Sequence, residues 1–230
     1  MIILSISDPA ALDVATEAIH QGPILIQFPS VFALLAAPTS KGAQQLDATK
    51  VRLASKNYGT AIGSLSRFVA QAQPESLPAE FTHCEQFKAL TGSFIRLKFH
   101  YETVQSATIR NGTHQSLLLD GIYRSLFKGL EKSFEAYPAE LMWNYRNYSA
   151  PLCTSCNVSG DPEGSIVTYD KAYQFAKARG IQLFITARQA VREKGSYPIL
   201  GFEAHKVSIH RQGPGLAMFK EKIPKRLQSW

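Results

Sequence analysis

Short apolar runs and amphipathic segments follow one another along the whole chain, and this mixture is the strongest constraint on its fold. The runs are rich in apolar and β-branched residues, which favour strands. The predicted strands are IILSI, ILIQF, GTAIGSL, SFIRLKF, SATIR, PLCTS, IQLFIT, SYPILGF and KVSIHR. Because strands and helices do not alternate strictly, the pattern predicts a single α/β domain around a twisted mixed sheet.

Amphipathic segments with start and stop signals predict the helices. The first follows Asp8-Pro9, has apolar residues at helical spacing and ends at Gly22. A helix is also predicted over 115–134, where apolar residues recur every four positions. The others are TSKGAQQLDATK, which Gly42 weakens, PAEFTHCEQFKAL and TYDKAYQFAKARG. We expect the basic tail FKEKIPKRLQSW to be loosely held.

Composition and charge limit the partners of the chain. Its 230 residues are 45% hydrophobic, which is enough for a packed core and excludes bulk disorder. Lys and Arg number 25 against 18 Asp and Glu, and this net charge of +7 favours phosphate-bearing partners such as nucleotides or RNA. No apolar run approaches the roughly 20 residues that span a bilayer, and the first residues do not resemble a signal peptide. We therefore expect a cytoplasmic protein with no membrane contact.

The stretch PLCTSCNVSGDP, residues 151–162, has two interpretations, of which the first is a thiol site. Cys153 and Cys156 have the spacing of a metal or redox pair, but structural zinc normally needs four ligands and Cys84 is the only other cysteine. The surrounding Ser, Asn and Gly residues also disfavour the helix that follows a thioredoxin-like pair. We therefore predict that the pair binds no metal, that Cys153 packs as a small hydrophobe and that Cys156 fills a turn.

The second interpretation is a polar loop that holds a ligand. A strand that leads into Ser155 and Asn157 presents a hydroxyl, an amide and backbone N–H groups, which bind phosphate and ribose. Lys50, Arg52 and Lys56 lie at the end of a predicted helix. If the chain is extended there, Lys50 and Arg52 share one side and grip a single anion. If the helix continues, they form a solvated helix end.

These two stretches, in this order, resemble the YrdC/TsaC threonylcarbamoyl-AMP synthases. The family signature P-L-x-x-[ST]-[SA]-A-N-x-S-G-x-P is nearly reproduced by PLCTSCNVSGDP, with Cys156 in place of alanine. The family element K-x-R-x-x-x-K matches Lys50, Arg52 and Lys56. The segment GPILIQFPSVFALLAAP is similar to the family's strand and Pro-Thr motif. In this chain Ser30 follows Pro29 at that motif.

Further matches extend the resemblance over most of the chain. Arg110 in TIRNGTH and Ser196 in SYPIL align with family positions, as does Arg211, which precedes Gly213. We accordingly divide the chain into a YrdC-like domain, 1–215, and a basic C-terminal tail, 216–230.

The resemblance implies a fold and an activity. The fold is the YrdC-like α/β fold, a twisted mixed sheet flanked by helices with a basic concave cavity. The activity is that of a nucleotidyltransferase: threonine, or another small amino acid, and bicarbonate give a carbamate that attacks the α-phosphate of ATP and releases pyrophosphate. Mg²⁺ accompanies the ATP phosphates. The product feeds threonylcarbamoyladenosine modification of tRNA, and RNA is a further candidate partner.

The resemblance also implies roles for individual residues. Adenylate transfer needs a positioned nucleophile and positive charge more than proton transfer, so we assign no acid–base catalyst and expect His114 to be structural. Ser30 is implied for amino-acid binding. The residues implied for nucleotide and phosphate binding are Lys50, Arg52, Lys56, Arg110, Ser155, Asn157, Ser196 and Arg211.

Departures from the family pattern cluster at the positions that hold the amino-acid substrate in the family. The loop after Pro29 is about two residues shorter and lacks the family's acidic residue and threonine, while Ile95 and Tyr197 replace polar residues. A segment over 120–148 is longer, and its aromatic residues suit either packing of an extra helix or stacking on a base. They are Trp143, Tyr145 and Tyr148.

Three functional hypotheses therefore stay open. The first is a threonylcarbamoyl-AMP synthase, and the second is an enzyme of the same fold that makes a carbamoyl adenylate from another acceptor. The third is a non-catalytic nucleotide- or RNA-binding module that kept the basic cavity.

Overall fold

The computed structural model describes residues 1–51, 57–99, 106–135, 150–187 and 193–230. The strands within these ranges are β1 (Ile2–Ser5), β2 (Ile24–Gln27), β3 (Phe32–Ala36), β4 (Gly59–Ile62), β5 (Ser93–Lys98), β6 (Thr113–Leu118), β7 (Leu152–Ser155), β8 (Leu183–Thr186), β9 (Ile199–Glu203) and β10 (Lys206–Arg211). The helices are α1 (Ala11–Gln21), α2 (Ser40–Lys50), α3 (Leu65–Val69), α4 (Cys84–Phe87), α5 (Ile122–Phe134), α6 (Tyr169–Ala178) and α7 (Leu216–Lys222).

All ten strands form one mixed sheet in the order β1-β8-β2-β3-β7-β4-β6-β5-β9-β10. Four neighbouring pairs are parallel, namely β1 with β8, β2 with β8, β4 with β6 and β5 with β9. The other pairs are antiparallel. The predicted α/β fold around a mixed sheet is confirmed.

The two faces of the sheet are covered by different helices. Because side chains alternate along a strand, Leu117 of β6 packs with α1 and α5, whereas Leu118 packs on the opposite face with α2, α6 and α7. Phe127 of α5 and Leu46 of α2 are fully buried in the two layers. Burying one such side chain contributes roughly 1.5–3 kcal/mol, so both layers hold the sheet from which the site is built.

Gly42 lies in the first turn of α2, where the packing leaves no room for a side chain. The helix begins after Thr39, whose Oγ1 accepts a hydrogen bond from the Gly42 N–H at 3.0 Å. A Cβ at position 42 would lie 2.1 Å from the carbonyl oxygen of Ala37. The glycine is therefore required where this helix packs against the end of β3.

The helix predicted over 115–134 is wrong in its first part. Residues 113–118 form β6, which lies between β4 and β5, and α5 begins only at Ile122 after Gly121, whose φ is 62°. Apolar residues four positions apart fit the period of a helix and also that of a strand, because residue 118 faces the core in either structure. Pairing with two neighbouring strands decides in favour of β structure.

Three further segments differ from their predicted structure. SATIR is a turn in which Ser106 Oγ accepts the N–H groups of Thr108 and Ile109, at 3.2 and 3.0 Å. PAEFTHCEQFKAL is divided into short 3₁₀ turns around α4. The strand β3, with the sequence FALLA, was not predicted, because a short apolar run rich in Ala and Leu has no periodicity that separates strand from helix.

The basic tail is docked on the body of the protein and is not loosely held. Phe219 of α7, Ile223 and Leu227 recur every four residues, and each is at most 2% exposed. They join the core cluster on the α2 face of the sheet. The apolar spacing within a basic sequence explains the docking, because the cations project to solvent on the other side. Within the ranges described above, no helix is long and apolar enough to cross a membrane.

Candidate functional site

A cavity of about 590 Å³ opens on the face of the sheet that carries α1 and α5. Its floor consists of alternate residues on adjacent strands. Phe94 and Arg96 come from β5, and Gln115 and Leu117 from β6. The register pairs Phe94 with Leu117 and Arg96 with Gln115, so the floor has an apolar row next to a polar row.

Most of the predicted site residues meet in this one cavity. They are Lys50, Arg110, Ser155, Asn157, Ser196 and Arg211. Ser30 is 5% exposed and lines a smaller cavity of about 220 Å³. Phe28 and Val31 line both cavities and therefore form the wall between them. Arg52 and Lys56 lie outside the described residues, as do Trp143, Tyr145 and Tyr148.

Lys50 holds the polar loop that follows β7. It is the last residue of α2 and is 2% exposed, and its ammonium donates to the carbonyl oxygens of Ser155 and Asn157 and to Asn157 Oδ1. The two contacts to Asn157 measure 2.7 and 3.2 Å. The Ser159 N–H donates back to the Lys50 carbonyl at 2.9 Å. Lys50 thus shapes the loop directly, and its role as a phosphate ligand stays a prediction.

The polar loop is also stabilised by its own side chains. Ser155 Oγ donates to Asn157 Oδ1 at 2.7 Å, and Asn157 Nδ2 donates to the Val158 carbonyl at 2.8 Å. The Cys156 N–H pairs with the Phe32 carbonyl at 2.8 Å, which ties the loop to β3. The hydroxyl and the amide are therefore held in one arrangement at the cavity wall.

The two cysteines of the signature are buried. Cys153 is 3% exposed on the cavity floor, and Cys156 is fully buried in the opposite core cluster. Burial raises the pKa of each thiol to about 12, so both are protonated at neutral pH. A protonated, inaccessible thiol is a poor nucleophile and a poor metal ligand, which agrees with the packing roles predicted for them.

His114 points away from the cavity into the α2-side core and is 1% exposed. Its Nδ1 lies 2.9 Å from the Thr108 carbonyl oxygen, and its Nε2 lies 2.9 Å from Thr60 Oγ1. Burial lowers the pKa of His114 to about 4, so the imidazole is neutral at pH 7. The prediction of a structural histidine is confirmed by these contacts.

Arg96 is the site residue that sequence reasoning missed. Its Nε and Nη2 both donate to Gln115 Oε1, at 3.2 and 2.5 Å. Arg211 is held in the same manner, since its Nε and Nη2 donate to the Tyr197 carbonyl at 2.9 and 2.7 Å. The guanidinium carbon of Arg211 lies 5.5 Å from the centroid of the Phe94 ring. The available signal was an arginine inside the apolar strand SFIRLKF, at a position that shares a face with Phe94.

The charge of the cavity is unbalanced. Four of the described lining residues are cations, namely Lys50, Arg96, Arg110 and Arg211, and none of the described lining residues is Asp or Glu. Burial lowers the pKa of Arg96, and burial together with the charge of Arg96 lowers that of Arg211. Both stay charged at neutral pH because a free guanidinium has a pKa above 12. Such a cavity favours anionic ligands.

The end of the cavity near the shortened loop is apolar. Phe28, Val31, Ala33 and Leu117 line it together with the ring of Tyr197. The Tyr197 hydroxyl accepts the N–H of Ser30 at 3.4 Å, and burial raises the pKa of Tyr197 to about 12. The tyrosine thus occupies space beside Ser30 and adds an apolar ring to this end.

Comparison with solved structures shows a shared fold. P. abyssi Sua5 complexed with L-threonine superposes with a TM-score of 0.70 at 16% identity, over 99% of this chain and 62% of that one. E. coli YciO gives a TM-score of 0.65 at 13% identity, over 93% and 94% of the two chains. Full-length HypF in the phosphate- and nucleotide-bound form gives 0.62 at 16% identity, over 91% and 30%.

No family model matches the sequence, and the comparison with curated proteins gives no match. This chain spans less than two thirds of the length of the Sua5 chains, at 65% and 62%. It has the fold of Sua5 and YciO, a twisted mixed sheet flanked by helices. The resemblance found in the sequence is confirmed at the level of this fold.

Proposed function

We propose that the protein is a nucleotidyltransferase that forms a carbamoyl adenylate from ATP, bicarbonate and a small amino acid, with threonine as the first candidate. The observation that carries the proposal is the cavity itself. Four cations line it beside the polar loop at Ser155 and Asn157, and none of the described lining residues is Asp or Glu. The proposal is supported by the shared fold, because solved proteins of that fold are complexed with L-threonine or bound to phosphate and nucleotide.

The reaction divides into two balanced steps. The amine of the amino acid attacks bicarbonate and gives a carbamate and water. A carbamate oxygen then bonds to the α-phosphorus of ATP, and the bond to the bridging oxygen breaks to release pyrophosphate. Negative charge develops on the leaving pyrophosphate, and fixed cations stabilise that charge without reorganisation. In this proposal the fixed cations are Lys50, Arg52, Arg110 and Arg211.

Ser155 and Asn157 position the nucleotide in this proposal. Their side chains are locked by each other and by Lys50, so little conformational entropy is lost when a ligand binds. Ser196 also lines the cavity, with its Oγ 2.5 Å from Ser165 Oγ, and its hydroxyl is a further candidate ligand for phosphate or ribose. No acid–base catalyst is required by the balance of the reaction.

Mg²⁺ is assigned to the phosphates of ATP and not to the protein. Protein-bound Mg²⁺ is usually held by one or two carboxylates together with substrate phosphates. The described cavity lining offers hydroxyl and amide oxygens but no carboxylate. The ion therefore enters with the nucleotide, where it neutralises phosphate charge, and the residues named above bind and orient the substrates.

A second candidate function is the same reaction with an acceptor other than threonine. The apolar end of the cavity favours it. Val31 and Phe32 follow Pro29 and Ser30 where the resemblance places polar residues that hold threonine, and Val31 lines this end. With either acceptor the product carries an activated carbamoyl group. With threonine, that product feeds the tRNA modification. The net charge of +7 extends the proposal to contact with RNA, which filter binding at two salt concentrations tests.

The decisive experiment is mass spectrometry of the products formed from ATP, Mg²⁺, bicarbonate and a mixture of amino acids. We expect a carbamoyl adenylate whose mass identifies the acceptor, and pyrophosphate in equal amount. Omission of bicarbonate should abolish both. Absence of pyrophosphate with a protein that binds ATP would instead leave the non-catalytic module as the function.

Individual nucleotide ligands are tested by calorimetric titration. Arg52→Ala and Asn157→Ala should each weaken ATP binding by about ten- to a hundredfold, the effect of losing one charge-assisted hydrogen bond. The control is Lys41→Ala, because Lys41 is an exposed cation on α2 that does not line the cavity. Unchanged affinity in a folded Arg52→Ala protein removes Arg52 from the site.

A further inference from the structure

Two arginines of the cavity are held in the same unusual way. Gln115 Oε1 accepts from Nε and Nη2 of Arg96, and the Tyr197 carbonyl oxygen accepts from Nε and Nη2 of Arg211. A guanidinium has five N–H donors, so each arginine keeps three, including both on Nη1. Neither forms an ion pair or a further hydrogen bond within the part of the chain that the structure describes.

This arrangement costs free energy unless an anion binds. Both guanidinium groups are partly removed from water, which lowers their pKa values, and the charge of Arg96 acts unfavourably on Arg211. A neutral amide and a neutral carbonyl fix their orientation but do not balance their charge. Partly buried cations are ordinarily paired with an acid, and here no described lining residue is one. An anion carried by a ligand would balance this charge.

The position of Arg96 separates this anion from the nucleotide loop. Arg96 lies on β5, and the loop at Ser155 follows β7, with β4 and β6 between them. Three strand spacings put the main chains of β5 and β7 about 14 Å apart, more than one phosphate group spans. The neighbouring row of the floor is the apolar pair Phe94 and Leu117, next to the apolar end of the cavity.

We propose that Arg96, oriented by Gln115, binds the carboxylate of the acceptor, so that the acceptor is an amino acid with a free carboxylate and not a simple amine. A guanidinium edge with two parallel N–H groups matches a planar carboxylate. The inference rests on the proposed function for the identity of the acceptor. It adds a residue and a selection rule that the motif resemblance does not contain.

Ligand-observed NMR titration tests the inference with L-threonine, L-valine and the corresponding amino alcohols, L-threoninol and L-valinol. The wild-type protein should bind at least one amino acid, and should bind the matching amino alcohol at least about tenfold more weakly. Arg96→Met should weaken amino-acid binding by about ten- to a hundredfold. Its affinity for ATP, measured by calorimetry, should change by less than about twofold, because the nucleotide loop lies three strands away.

Two further variants complete the test. Arg96→Lys retains the charge without the fork and should lose an intermediate amount of amino-acid affinity. Lys98→Met removes a cation two residues along the same strand, outside the cavity lining, and should behave like the wild type. Circular dichroism confirms folding for each, and the lysine variant keeps the test valid if the methionine variant does not fold.

The inference and the proposed function fail in different ways. Equal binding of amino acids and amino alcohols overturns the inference, as does unchanged amino-acid affinity in Arg96→Met or the absence of amino-acid binding by the wild type. Loss of ATP affinity in place of amino-acid affinity also overturns it and makes Arg96 a phosphate ligand. Carboxylate-dependent binding without pyrophosphate release supports the inference and rejects the proposed function.

Discussion

The Lys50 ammonium lies 2.7 Å from the carbonyl oxygen of Asn157, a residue 107 positions later in the chain. This contact joins the end of α2 to the polar loop after β7, the two stretches on which the sequence resemblance depends. Each stretch has an ordinary structural explanation when it is considered alone. Their direct contact makes them parts of one site, in which a buried cation holds the loop that lines the cavity.

Replacement of Lys50 by methionine should destabilise the protein. The substitution leaves the buried acceptors at Ser155 and Asn157 without their donor, which costs about 1–3 kcal/mol of unfolding free energy. Urea denaturation measures the loss. Lys41→Met on the same helix is the control, and its effect should stay within about 0.5 kcal/mol because Lys41 is exposed. Equal stability of Lys50→Met and wild type would show that the loop holds its shape without the ammonium.

Local periodicity was sufficient to predict most of the sheet and the helices α1, α2 and α6. It failed at β3, because FALLA carries no period, and at residues 115–118, because apolar residues four apart fit a strand as well as a helix. In both places the outcome was decided by neighbouring strands distant in sequence, such as the pairing of β3 with β7. Strand partners are a property of the tertiary structure, and a single sequence does not specify them.

The candidate site was predictable wherever a motif carried it. Ser155, Asn157 and Arg211 line the cavity as expected. Arg96 was missed because its role depends on register: only the pairing with Gln115 and the placement of β5 next to β6 bring it to the cavity floor. The two anchors of the arginines are a side-chain amide and a main-chain carbonyl, and neither produces a recognisable sequence signal.

The buried imidazole of His114 should make stability depend on pH. Its pKa is about 4 in the folded protein and near 6.5 when unfolded, so the unfolded state takes up a proton first on acidification. The unfolding free energy contributed by the neutral form is present above pH 6.5 and is lost as the pH falls toward 4. The loss integrates to about 3 kcal/mol for a shift of this size.

The His114 contribution is isolated by comparison with His114→Gln, which keeps a neutral hydrogen-bonding side chain. Urea denaturation at several pH values between 4 and 7 should give a clearly smaller slope for the variant than for the wild type. Parallel slopes would show that the pKa of this imidazole is the same in the folded and the unfolded protein.

The buried thiols should be unreactive in the folded protein. Because burial raises the pKa of Cys153 and Cys156 to about 12, thiolate is scarce below about pH 9 and a thiol reagent should modify mainly Cys84, which is partly exposed. All three should react in denaturant. Cys153→Val combined with Cys156→Ala should retain ATP affinity, measured by calorimetry. Loss of ATP affinity together with loss of zinc that the wild type contained would refute the packing role.

Selection among amino acids at this site should be weak. A hydroxyl is strongly selected only when its absence leaves buried polar groups unpaired, and such a site discriminates by about 10⁴-fold or more. Here the end of the cavity next to the shortened loop is lined by Phe28, Val31 and Ala33, which lose nothing when the hydroxyl is absent. Ser30, whose N–H donates to the Tyr197 hydroxyl, retains one side-chain hydroxyl, and we expect it to offer threonine one hydrogen bond.

We therefore expect kcat/KM for threonine to exceed that for valine or serine by less than about a hundredfold, the limit of a hydrophobic pocket. Pyrophosphate release with each amino acid in turn, at fixed ATP, Mg²⁺ and bicarbonate, measures these ratios. Val31→Thr places a hydroxyl on the wall between the two cavities and should raise the preference for threonine over valine. Exclusive use of threonine by the wild type would mean that polar groups outside this apolar wall replace the missing residues of the loop.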